Sequence, residues 1–203
     1  YFEDDGSICK TWGYRTWHWL SDPYPASDRQ MTGFGLSCMR TAGANKVLVG
    51  SPGWINTANV STGKVDLLTY SGGTVTADAS PLVGAAAGEQ FGQAVVYLTK
   101  FKVNSMNGPG IAVGAPGYAA NSGVTQHGKV YIYDAAKTAQ ASIVESSPAN
   151  YNNYGERLFN LGNLDSHTDS TGFEELAIEG SGAVRIYDGE NAGAAVSVLK
   201  AIK

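Results

Sequence analysis

Ile111-Ala112-Val113-Gly114-Ala115-Pro116 follows a Phe91-Gly92 pair and precedes Gly128-Lys129-Val130-Tyr131-Ile132-Tyr133, and the same three pieces recur on either side. Upstream they read Phe34-Gly35, Val47-Leu48-Val49-Gly50-Ser51-Pro52 and Gly63-Lys64-Val65-Asp66-Leu67. Downstream they are worn to Tyr154-Gly155, Leu176-Ala177-Ile178-Glu179-Gly180 and Gly182-Ala183-Val184-Arg185-Ile186-Tyr187. The aromatics at 34, 91 and 154 lie about 60 residues apart, long enough for several short strands per copy. Such a period points to an array of sheets rather than a single sandwich, so the expected fold is all-β: a propeller-like series of antiparallel four-stranded blades.

Composition agrees with short strands and tight turns. The chain has 203 residues with 26 glycines and only 16% charged residues, a length that buries a core without help from metals or disulfides. No stretch keeps the i, i+3, i+4 apolar spacing of a long amphipathic helix; 135–143 comes nearest and reads as an inter-strand loop. The net charge of −4 offers no basic stripe for phosphates, which argues against a nucleic-acid partner. No apolar run approaches the ~20 residues that span a bilayer as a helix. The chain opens on Tyr1 with no signal peptide, as a processed protein or an excised fragment does.

The order FG, then AVGAPG, then GKVYIYD in the second copy resembles the FG-GAP repeat, the blade unit of integrin α-subunit propellers. The resemblance runs over roughly residues 31–190 and divides the chain into a Trp-rich head, 1–30, and three blades at about 31–90, 91–150 and 151–203. In the head, Trp12, Trp17 and Trp19 precede Asp22-Pro23-Tyr24-Pro25, whose prolines separate it from the array. Closed propellers have about four to eight blades. Three copies therefore imply an incomplete array, finished by other segments or other chains, with the head tryptophans and the stretch 194–199 near the junction.

Family blades of this type carry Ca²⁺ in the loop before the apolar strand, and Ca²⁺ takes 6–8 oxygen ligands. Laid on that pattern, Asn163, Asp165, Asp169 and Glu175 take the ligand positions and Gly172 the turn. About three residues are inserted relative to the pattern, Asn replaces the first Asp, and Glu the last. A polar hairpin loop is the competing reading of the same residues. The matching loops, Lys100–Gly110 and Arg40–Lys46, carry cations and read as metal-free.

The two cysteines, Cys9 and Cys38, either pair or remain buried thiols. The resemblance implies an extracellular or cell-surface setting, which favours a disulfide joining head to first blade. Asn59-Val60-Ser61 is an N-glycosylation sequon in a polar loop.

Catalysis finds no motif. His18, His127 and His167 fall in separate segments outside any H-E-x-x-H pattern, and no G-x-S-x-G elbow occurs. Adjacent Asp4-Asp5 and Glu174-Glu175 diverge on extended chain and make poor acid–base pairs. The expectation is therefore a non-enzymatic, integrin-like module for adhesion or subunit association, with a protein or glycan partner at the cell surface and self-association or a longer parent chain. Two alternatives stand beside it. A lectin propeller needs repeated aromatic pockets, yet only Trp54 and Tyr118 follow the GAP-like segments. The other is a propeller fragment of a secreted hydrolase or lyase. Tyr131 and Tyr133, which alternate with Val130 and Ile132, are read as strand packing.

Overall fold

Val95 and Val96 are chain neighbours, yet each is buried in a different core. This period-two division runs through the middle of the molecule. It follows from strand geometry, in which successive side chains point to opposite faces. The protein is described here by a computed structural model covering residues 35–41, 44–71, 74–119, 126–144, 152–164, 172–180, 182–190 and 198–202. The head and its tryptophans, Cys9, Asp165 and Asp169 lie outside the described residues.

Three antiparallel sheets follow one another along the chain, and the described residues contain no helix. Sheet 1 holds β1 (Gly35–Thr41), β2 (Ala44–Ser51), β3 (Lys64–Ser71), β4 (Thr74–Ala77) and the two-residue β5 (Leu82–Val83). Both β4 and β5 pair with β3, at Leu68–Ser71 and at Lys64–Val65, so they share one outer position. Pro81, which has no N–H for a ladder, lies in the break between them. Sheet 2 holds β6 (Ala94–Val103), β7 (Met106–Ala115), β8 (Lys129–Asp134) and β9 (Ala139–Ile143), and sheet 3 holds β10 (Arg157–Asn160), β11 (Leu176–Gly180), β12 (Ala183–Tyr187) and β13 (Val198–Ile202). Apart from β5, each sheet is a meander of sequence-adjacent strands.

The sheets pack face to face, with sheet 2 in the middle. Val95, Ile111, Val113 and Ala115 meet Leu48, Val65, Leu67 and Leu82 of sheet 1, with Tyr131 and Tyr133 against the same cluster. The opposite face of sheet 2 presents Val96, Leu98, Ala112, Val130 and Ile132 to Leu158, Leu176, Ile178 and Tyr187 of sheet 3. Full burial of such a side chain stabilises the fold by about 1.5–3 kcal/mol, which makes these two layers the main cohesive element. Tyr131 and Tyr133 are packing residues in a strand, as their alternation implies.

Three segments depart from expectation. Ala139–Ile143, read as loop, is the outer strand of sheet 2, paired with β8 through Val130↔Ile143; the turn before it is closed by Lys137, at φ 66°. Its alanines and Gln140 carry little strand propensity, so pairing with β8 decides the conformation. The stretch 194–199 is expected to complete a blade with residues outside this chain or from a copy of it; its residues 194–197 lie outside the described residues. Instead Val198–Ile202 completes sheet 3 itself, with Val184↔Ile202 and Ile186↔Lys200 in register. The stretch Lys100–Gly110, read as a bare metal loop, is mostly strand, and its Phe101, Val103 and Met106 are buried in the sheet 2–sheet 3 core.

Candidate functional site

The FG and GAP residues build the junctions between sheets, and they do so twice in the same way. Phe91 forms a parallel bridge with Gly63, and Tyr154 does so with Gly128. Phe91 N donates to Thr62 O at 3.2 Å, and Tyr154 N to His127 O at 3.2 Å. The following glycine then crosses the GAP-type glycine of the sheet before. A Cβ at Gly50 would collide with Gly92 O, and one at Gly114 with Gly155 O, nearer than real Cβ atoms approach any backbone oxygen. Only glycine permits this approach. Gly92 N and Gly155 N turn back into their own sheets, to Gly114 O at 3.0 Å and Glu179 O at 2.9 Å.

Each incoming aromatic also packs on the β-strand of its own copy. Phe91 meets Tyr131 edge-on at 5.4 Å and Tyr133 at 6.3 Å. In the third copy Tyr154 donates its hydroxyl to Tyr187 and lies 5.9 Å from the Arg185 guanidinium.

A buried carboxylate sits at the first junction. Glu89 is fully buried; its Oε1 accepts Ala86 N at 3.2 Å and its Oε2 accepts the Tyr131 hydroxyl at 2.8 Å. Burial, and then the Glu89 carboxylate, hold the Tyr131 phenol well above its ordinary value. The same two causes push Tyr133 up to about 12. Lys129 lies 4.6 Å from the Tyr118 ring and 4.4 Å from that of Tyr131; burial lowers its pKa, with Glu89 opposing. Trp54 and Lys64 repeat the lysine–ring contact in sheet 1 at 5.5 Å. Sequence reasoning missed this device. Its trace is Pro52-Gly53-Trp54 and Pro116-Gly117-Tyr118, each followed by the Gly-Lys that opens the next strand.

The loops after β2 and β7 adjoin at one end of sheets 1 and 2. Gly88 N donates to Ser61 O at 2.7 Å and Gly117 N to Glu89 O at 3.0 Å, which places the 84–90 segment between them. Asn59 occupies the exposed tip of the first loop at φ 61°. Asn56 supports that tip, its Oδ1 accepting Ala58 N and Val60 N at 3.0 Å each. Ile55 beside it is 43% exposed.

The loop singled out for calcium is tied down by its glutamates. Glu174 accepts Thr99 N at 2.6 Å, the Thr99 hydroxyl and Asn160 Nδ2 at 2.8 Å, clamping the loop onto β6. Glu174 N adds a bond to Lys100 O at 2.9 Å. Glu175 is buried and accepts Leu164 N at 2.5 Å. Asn163 Nδ2 lies close to Gly172, so Asn163, Gly172 and Glu175 share one loop. Asp165 and Asp169 fall outside the described residues, among which no three His, Cys, Asp or Glu side chains converge on a metal position. Cys38 lies on β1 opposite Val47, while Cys9 is outside the described residues.

No protein-family model matches this chain, and no curated protein matches it.

Proposed function

We propose that the chain is an extracellular, non-enzymatic binding and assembly module of the integrin-like FG-GAP type, its three sheets serving as consecutive propeller blades. The observation that carries this reading is the twice-repeated junction. Phe91-Gly92 and Tyr154-Gly155 meet the same two glycine positions of the preceding copy, Gly63 with Gly50 and Gly128 with Gly114. Motif residues spent on holding sheets together leave the loops free to vary, and binding residues concentrate on loops carried by a rigid scaffold.

The partner-facing surface in this reading is the end that carries Ile55, Asn59 and the 84–90 segment. Its exposed apolar residue and polar rim suit a protein partner. The lectin alternative is less supported, because the rings of Trp54 and Tyr118 are already engaged by Lys64 and Lys129. Three further elements belong to the proposal: an N-glycan on the exposed Asn59, a Cys9–Cys38 disulfide, and Ca²⁺ in the 163–175 loop. For the last, Asn163, Asp165, Asp169 and Glu175 form an all-oxygen donor set of the kind Ca²⁺ prefers.

The test is to probe the immobilised full chain with arrays of extracellular proteins and of glycans. Protein binding that is lost in Ile55→Asp, at unchanged melting temperature, supports the reading. Glycan binding alone moves the chain to the lectin class, and binding to neither array removes the proposed surface.

A further inference from the structure

The face of sheet 2 that receives sheet 3 and the face of sheet 3 turned away from sheet 2 have matching positions, so they can be compared residue by residue. On sheet 2, Ala94 pairs across strands with Gly114, and the glycine leaves room for the carbonyl of Gly155. At the same register sheet 3 pairs Arg157 with Glu179, and their side chains form an ion pair at 3.1 Å. Around the pair the apolar character of the face persists. Phe159 opposes Ala177 and is 47% exposed, and Val184 and Ile186 are half-buried opposite Glu179 and Ala177. Val96, Val130 and Ile132, their counterparts on sheet 2, are buried beneath sheet 3. Sheet 3 thus keeps the apolar positions of a stacking face and lacks the glycine that stacking uses.

We infer that the Arg157–Glu179 pair terminates the series. Sheet 3 does not receive another sheet through the junction that joins sheets 1, 2 and 3, whether that sheet comes from a longer chain or from a second copy. The Glu179 Cβ occupies the space that the incoming glycine carbonyl takes at Gly50 and Gly114. A covering sheet would also strip water from both charges, and desolvation of an ion pair offsets much of its attraction. The inference stands on the stacking geometry, independent of the family resemblance and of the extracellular setting.

The experiment appends a second copy of residues 84–144, which include sheet 2 with its incoming Phe91-Gly92, after Lys203 of the full chain. One version keeps Arg157 and Glu179; the other carries Arg157→Ala with Glu179→Gly, which restores the Ala94–Gly114 arrangement. Amide hydrogen exchange is read separately in the appended copy and in the native sheets. The appended amides are expected to gain about tenfold or more protection in the double variant over the unmodified background. Equal protection in the two backgrounds, or equal lack of it, overturns the inference. The native sheets report whether the variant itself folds; if sheet 3 loses protection, Glu179→Gly alone replaces the double change and is judged by the same comparison.

Discussion

Tyr131 on β8 donates its hydroxyl hydrogen to Glu89, which lies in the segment leading from sheet 1 into sheet 2, across 2.8 Å. The bond fixes the entry of the second copy against its own third strand. Tyr131→Phe deprives a fully buried carboxylate of one donor and should cost about 1–3 kcal/mol by urea unfolding at neutral pH. An unchanged midpoint would mean that the carboxylate is satisfied elsewhere.

The same cluster predicts an alkaline weakness. Tyr131 and Tyr133 both have folded-state values raised by burial and by Glu89, so the native state favours the protonated phenols. Their stabilising contribution is complete below the unfolded value of about 10. It is lost as pH rises through the folded value, about 12 for Tyr133. Stability should fall between pH 10 and 12, and Tyr131→Phe should flatten that fall. A parallel decline in the variant would assign the effect to other groups.

At the junctions, Gly114→Ala places a methyl against the backbone of Gly155. Overpacking of this kind costs about 1–3 kcal/mol. Gly182→Ala is the control: it has positive φ but open space around it, so it should lose only the roughly 1–2 kcal/mol of left-handed strain. Hydrogen exchange separates the two, since Gly114→Ala should loosen the packing of sheet 3 on sheet 2 and Gly182→Ala only its own turn.

Lys137 bonds Asp78 Oδ2 at 2.7 Å and Ser80 O at 2.6 Å, tying the edges of sheets 1 and 2. The Lys137 hydrogen bond is the first cause of the lowered Asp78 value. That contribution is present above the ordinary carboxylate range and lost as pH falls through the folded value. Because the Asp78 side chain is 37% exposed, solvent screening holds the expected cost of Lys137→Ala to about 0.5 kcal/mol. The difference from the parent should vanish in about 1 M salt.

Much of the junction was legible in the sequence. The recurrence of Phe-Gly, Gly-Ala-Pro and Gly-Lys-Val marked the positions that the structure brings together, because a glycine required by close backbone approach leaves a fixed mark at a fixed spacing. Glu89 was not legible. It falls in Gly84–Gln90, whose composition reads as a turn, and its partner Tyr131 lies on another strand. Glu174 was hidden for a similar reason, since its role depends on Thr99 in the neighbouring sheet. Ala139–Ile143 carries a single β-branched residue, Ile143, too weak a mark of a strand, and was fixed by β8 instead.

The calcium element of the proposed function is checked by melting. Added Ca²⁺ should raise the melting temperature of the full chain, because a ligand held only by the folded state stabilises it. Asp165→Ala with Asp169→Ala should remove the rise. A parent protein indifferent to calcium would leave the loop as a polar turn clamped by Glu174.

Phe91 carries a consequence for synthesis. It belongs to the second copy in sequence, yet it is buried in the core that covers sheet 1 and bridges to Gly63. A growing chain can pair all the strands of sheet 1 by residue 83, but that sheet stays uncovered on one side until the next copy leaves the ribosome. Each copy therefore acts as the temporary guest of its successor, and translation pauses between residues 83 and 115 should be the interval in which the nascent protein is most exposed to proteases.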